Sequence, residues 1–122
     1  MASKNRVIGA AGEDLAVRML KECGYQIIDR NWRCRFGELD VICRDPRSAR
    51  LVFAEVKTRT TQQYGGARRG IGREKYSRLR QLVRLWLSRH PDLGQGCGVR
   101  IDLIAIDVSA GKVPVITHCR GI

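Results

Sequence analysis

Three runs of strand length follow one another with almost nothing between them: Tyr25 to Arg35, Glu38 to Arg44 and Arg50 to Arg59, joined through Phe36-Gly37 and Asp45-Pro46-Arg47-Ser48. Turns this short leave room only for antiparallel neighbours, so this part of the chain is committed to one sheet. A helical stretch from about Arg73 to Arg89 intervenes before two more runs, about Gly98 to Val108 and Val113 to Cys119. Within the first of these, Ile101 to Ile106 is apolar on both faces, which predicts a buried strand parallel to its neighbour across the helical crossover.

A helix is expected to lead the chain, from about Val7 to Cys23, with Ile8, Ala11, Leu15, Ala16, Met19 and Leu20 on one broad face and Gly24 at C′. The second helix places Tyr76, Leu79, Leu82, Val83, Trp86 and Leu87 inward and Arg73, Arg80 and Arg84 along one flank, and Pro91 and Gly94 end it. The expected class is α/β, in the order α-β-β-β-α-β-β. With 122 residues and no repeat or low-complexity tract, one domain over 1–122 is predicted, with a mobile basic loop at about 60–72, where four glycines stand without periodicity.

Two of the strand runs carry charge that a half-buried strand does not need. In Gly37-Glu38-Leu39-Asp40-Val41-Ile42 the acids alternate onto one face while Leu39 and Val41 go the other way. In Val52-Phe53-Ala54-Glu55-Val56-Lys57, Glu55 and Lys57 share a face opposed to Ala54 and Val56. An antiparallel hairpin brings Asp40, Glu55 and Lys57 into one small volume, which is the composition of a divalent-metal site with an attached proton manager. Glu13 falls at the border of the first helix's apolar stripe and can look into a cleft, whereas Asp14 is expected to turn outward and pair with Arg18. Asp102 stands on a core strand and is expected to be the structural partner of a neighbouring arginine.

The chain holds 23 Lys and Arg against 12 Asp and Glu, a formal charge of +11, which points to an anionic partner. From Lys57 through Arg89 there are ten basic residues and the single acid Glu74, so this stretch carries +9 of that total. Most of the basic residues are arginines, which fork onto phosphates and stack on bases, so nucleic acid is the expected partner and a membrane is not. The apolar runs are too short to span a bilayer, and the amino terminus has no apolar signal segment, so a cytoplasmic location is expected. Five cysteines without a C-x-x-C pair read as small buried hydrophobes kept reduced, not as a zinc module.

The ordered set Gly12-Glu13 with Leu15-Ala16, Arg30-Asn31-Trp32-Arg33, Gly37 to Ile42, Phe53 to Arg59 and Arg100-Ile101-Asp102-Leu103-Ile104 resembles the YraN-like group of the PD-(D/E)XK nucleases, related to archaeal Holliday junction resolvases. The resemblance covers nearly the whole chain. It implies a restriction-endonuclease-like mixed sheet flanked by helices and a metal-dependent DNA endonuclease. It further implies Asp40, Glu55 and the Val56 carbonyl as ligands of Mg²⁺ or Mn²⁺, Lys57 as the group that orients or deprotonates water, and Glu13 as an assisting acid. Leu39 stands where the superfamily's proline would precede Asp40, as in YraN-like sequences.

Carboxylates hold a hard cation that lowers the pKa of bound water and neutralises phosphoryl charge, while Lys57, about 6.6 Å along the strand from Glu55, reaches the same water. Arg33, Arg35, Arg59, Arg68, Arg69, Arg73, Arg80 and Arg84 are the candidate phosphate contacts, with Arg33 and Arg35 sharing a strand face. Branched or structured DNA is the substrate class the resemblance implies, and a homodimer goes with cutting two strands. The competing expectations are a non-catalytic nucleic-acid-binding module on the same fold and an RNA- or ribosome-associated protein.

Overall fold

The computed structural model describes residues 4–60, 71–94, 96, 98–109 and 111–122. Helix α1 (Lys4–Glu22) leads into the strands β1 (Gln26–Cys34), β2 (Gly37–Arg44) and β3 (Leu51–Arg59). Helix α2 (Arg73–Arg89), a single helical turn α3 (Pro91–Gly94), β4 (Val99–Asp107) and β5 (Val115–Cys119) follow. The five strands form one sheet in the order β1-β2-β3-β4-β5. Only β3 and β4 run parallel, because α2 crosses between them, and the other three pairings are antiparallel. The expected mixed α/β architecture and element order are met, with α3 as an addition: Pro91 and Gly94 bound a helical turn of their own. The predicted loop at about 60–72, with Arg68 and Arg69, lies largely outside the described residues, as does Cys97.

Each face of the sheet carries one helix. Ala16, Val17 and Leu20 of α1 pack on Val41, Cys43, Val52, Ala54, Ile104 and Ile106. Leu79, Leu82, Val83 and Trp86 of α2 pack on Ile42, Leu51, Phe53 and Ile101 from the other side. This explains why β3 and β4 are nearly continuous apolar runs, since both of their faces are buried. Helix α1 ends as expected at Gly24, whose φ of +88° places it in the left-handed region that favours glycine. Gly24 N–H donates to the Lys21 carbonyl at 3.0 Å and Tyr25 N–H to the Leu20 carbonyl at 2.9 Å, closing the last turn.

Two features depart from simple alternation. Asn31 has a φ of +53°, and there the face of β1 changes: Arg30 reaches α1, while Trp32 joins the α2 cluster. Its partner strand turns with it, since Arg30 faces Val41 and Trp32 faces Leu39. Leu39 and Val41 therefore pack on opposite faces, contrary to the single face expected for them. The second correction follows from where β1 stops. Arg35 lies in the turn after Cys34, its guanidinium 5.1 Å from the Phe36 ring, and so does not share a strand face with Arg33.

Candidate active site

The β2–β3 ladder pairs Val41 with Ala54 and extends no further in that direction. Asp40 and Glu55 sit one residue beyond, and the Val56 N–H donates to Asp40 Oδ2 at 2.9 Å. The carboxyl of Asp40 is only 8% exposed, and the neighbouring Glu55 carboxylate lies near enough for its charge to act on it. Burial first, and then the Glu55 charge, push the Asp40 pKa up to about 8, against the opposing pull of the Val56 N–H. Two acids thus stand side by side on the sheet, with the Val56 N–H holding Asp40.

Helix α1 brings a third acid. A Cβ at position 12 would overlap the Thr58 side chain, so Gly12 allows α1 to lie directly against the end of β3. The neighbouring Glu13 is carried to the cleft, where its charge acts on Asp40. Glu13 Oε1 is buried and meets no hydrogen-bond partner among the described residues. Its pKa is raised, chiefly by burial, with Arg30 opposing. Asp14 turns outward as expected, but its partner is Arg30 on β1 at 2.8 Å and not Arg18.

The remaining members are cationic. Lys57 has a lowered pKa, caused first by burial and then by Arg59 and Lys75, while Glu55 pulls the other way. Lys75, in the first turn of α2, places Nζ 2.7 Å from Glu55 Oε1. Sequence reasoning overlooked this residue. The signal was there: positions 75, 79, 82 and 86 share one helical face, and a lysine on an otherwise buried stripe needs a partner.

Asp40 thus has Glu55 and Glu13 near enough for their charges to act on it, and Lys57 has Glu55, while the groove lined by Glu13 includes none of the other three. Among the described residues, however, no three His, Cys, Asp or Glu side chains are grouped so as to hold a metal ion. The donor set as it stands is the two carboxylates Asp40 and Glu55, with Glu13 beside them and Val56 adjacent. That set of hard oxygen donors fits Mg²⁺ or Mn²⁺, which bind through one or two carboxylates and keep several waters.

The expected arginine surface divides. Arg33 pairs with Glu38 at 2.9 Å and, with Arg30, lines a groove of about 1110 Å³ that also includes Glu13. Arg59 ends β3 beside Lys57. Arg73 and Arg80 line a separate groove of about 1230 Å³ with Tyr76, Leu103, Thr117 and Arg120, a wall that contains neither Asp40 nor Glu55. Arg84 lies on the exposed flank of α2.

Asp102 faces the opposite side of the sheet from Glu55 and is fully buried. Arg100 holds it through Nε and Nη2 at 2.8 and 2.9 Å, His118 Nε2 lies 2.8 Å away, and the Gly121 N–H donates at 2.9 Å. Arg100 also reaches Asp45 at 2.7 Å and the Tyr25 hydroxyl at 3.0 Å. The expected arginine partner is present, within a larger network than the sequence suggested.

Fold and cleft together define a mixed α/β protein with an acidic, lysine-flanked cleft where two central strands part. The chain belongs to the uncharacterised protein family UPF0102, whose family model matches residues 12–106. A UPF0102 protein of Mycobacterium sp. (strain KMS) is 47% identical over 115 residues, covering 94% of this chain and 84% of its own. One from Streptomyces griseus subsp. griseus is 46% identical, covering 94% of both chains. The solved structure of Pyrococcus furiosus SfsA in complex with Ca²⁺ has 16% identity and a TM-score of 0.42, over 95% of this chain and 63% of that one, a likeness too distant to carry an argument. Among the described residues no helix is long and apolar enough to cross a membrane.

Proposed function

We propose that this protein is a divalent-metal-dependent endonuclease that hydrolyses phosphodiester bonds in DNA, with branched or otherwise structured DNA as its substrate class. The observation that carries the proposal is the placement of Asp40, buried and held by the Val56 N–H, beside Glu55 where the β2–β3 ladder ends, with Lys57 two residues on and the unpartnered Glu13 oxygen on α1. Such a cluster is destabilising in itself and gains when a cation enters. Bound between Asp40 and Glu55, Mg²⁺ or Mn²⁺ would supply charge neutralisation and an acidified water. Lys57, whose pKa is lowered chiefly by burial, would orient a water there and exchange a proton with it. Glu13 assists from α1, and Arg33, Arg35, Arg59, Arg73, Arg80 and Arg84 offer phosphate contacts around the cleft and beyond it. The +9 carried between Lys57 and Arg89 supports an anionic polymer as partner.

Purified protein incubated with labelled junction, flap and single-stranded DNA in Mg²⁺ or Mn²⁺ tests this. Cleavage should fall to background in Asp40→Asn and Glu55→Gln and by about 10²–10⁴-fold in Lys57→Met. Absence of any Asp40-dependent cleavage overturns the enzymatic reading. A homodimer goes with resolvase-type action, and sedimentation with and without junction DNA checks it.

The Lys75–Glu55 ion pair favours a second reading, a non-catalytic nucleic-acid-binding module, because a lysine already partners one of the acids. That module predicts steeply salt-dependent binding and no divalent ion bound at millimolar concentration. Competition between RNA and DNA of matched shape decides which polymer it prefers.

A further inference from the structure

We infer that Lys75 is a built-in occupant of the cation position: its ammonium holds Glu55 while no divalent ion is bound, and it must leave Glu55 for an ion to enter. The inference rests on the metal-dependent reading and goes beyond it, since it makes metal binding a competition with a residue of the same chain.

Four observations carry it. Lys75 Nζ lies 2.7 Å from Glu55 Oε1, a direct ion pair on an acid whose side chain is only 12% exposed. Asp40, the buried acid beside Glu55 on β2, receives the Val56 N–H, and Lys75 brings a full positive charge into direct contact with Glu55. Lys75 itself is 49% exposed and sits in the first turn of α2, on a long stem with room to withdraw toward solvent. Glu13 Oε1 stays unpartnered beside the pair, so the lysine compensates the cluster only in part. An ammonium is a point charge that satisfies one oxygen, whereas a divalent ion gathers several. The arrangement therefore holds the cleft intact without metal and yields to a stronger cation.

The test is calorimetric titration of the metal-free protein with Mn²⁺ alone, comparing wild type, Lys75→Met, Lys75→Arg and Asp40→Asn, each verified as folded by circular dichroism. Removing a competing positive charge at contact distance should tighten Mn²⁺ binding by about tenfold in Lys75→Met. Lys75→Arg, which keeps the charge, should stay near wild type, whereas a merely structural contact would respond to both changes alike. Lys75→Gln serves the same purpose if the methionine variant aggregates. Asp40-dependent Mn²⁺ binding that is equal or weaker in Lys75→Met overturns this inference and leaves the endonuclease reading standing. Failure of wild type and Lys75→Met alike to bind Mn²⁺ overturns both.

Discussion

Asp102 and Asp40 are both buried aspartates on inner strands of one sheet, yet the fold treats them in opposite ways. Around Asp102 it gathers Arg100 twice, His118 and the Gly121 N–H. Burial alone would favour the neutral acid, but these hydrogen bonds outweigh it and the pKa is lowered. Asp45, in the same network, is held well below the usual range by the Arg47 N–H and by Arg100. Around Asp40 the fold gathers Glu55 and Glu13 instead, and the pKa rises to about 8. A buried acid that the chain itself satisfies ties elements together, here the α1–β1 link at Tyr25, the β2–β3 turn, β4, β5 and the C-terminal segment. One that the chain surrounds with further acids leaves negative charge that a proton or a cation must answer.

The comparison is most exposed to mutation at its satisfied end. Asp102→Ala or Arg100→Met leaves an uncompensated buried charge and should cost about 3–5 kcal/mol in urea unfolding. Asp40→Asn should cost far less, and an equal loss at both sites would break the contrast. Next comes the approach of α1. Gly12→Ala forces a Cβ into Thr58 and should destabilise by about 1–3 kcal/mol, while weakening Mn²⁺ binding by displacing Glu13. A stability loss with unchanged metal affinity would detach Glu13 from the site.

The pH dependence sharpens the same contrast. Folding raises the Asp40 pKa from an unfolded value of about 3.9, so its contribution is complete below that pH and is lost as the pH rises toward about 8. Asp102 and Asp45 contribute in the other sense: their stabilisation is present above about pH 4 and lost as the pH falls through their lowered values. Thermal unfolding of the metal-free protein between pH 5 and 9 should therefore show Asp40→Asn gaining on wild type as the pH rises, with the gain levelling off near pH 8. A constant difference across that range would remove Asp40 as the titrating group. The smallest effect belongs to the surface. Breaking the Asp14–Arg30 pair with Asp14→Ala should change stability by at most about 1 kcal/mol, and less in high salt, as urea titrations at two ionic strengths would record.

Much of this was legible in the chain. The strand order, the parallel β3–β4 pairing behind a helical crossover, the α2 core stripe and the C′ role of Gly24 all follow from local periodicity and from turn length. So does the meeting of Asp40 and Glu55, because a hairpin joins their strands. The partners contributed by other elements were not legible. Asp14 was expected to bond within its own helix and bonds β1 instead; Leu39 and Val41 were expected to share a face, and Asn31 separates them.

The sequence by itself determined which residues stand on strands and which acids interrupt them, because side-chain period and short turns are properties of neighbours along the chain. The tertiary structure decided whether each buried charge is answered. That depends on where strands part, how closely Gly12 lets α1 approach, and which side chain α2 lowers toward Glu55, all of them contacts between residues far apart in sequence. Arg100 and Asp102 stand two positions apart, so their pairing could be anticipated, whereas Lys75 reaches Glu55 only because the crossover lays its first turn over the sheet.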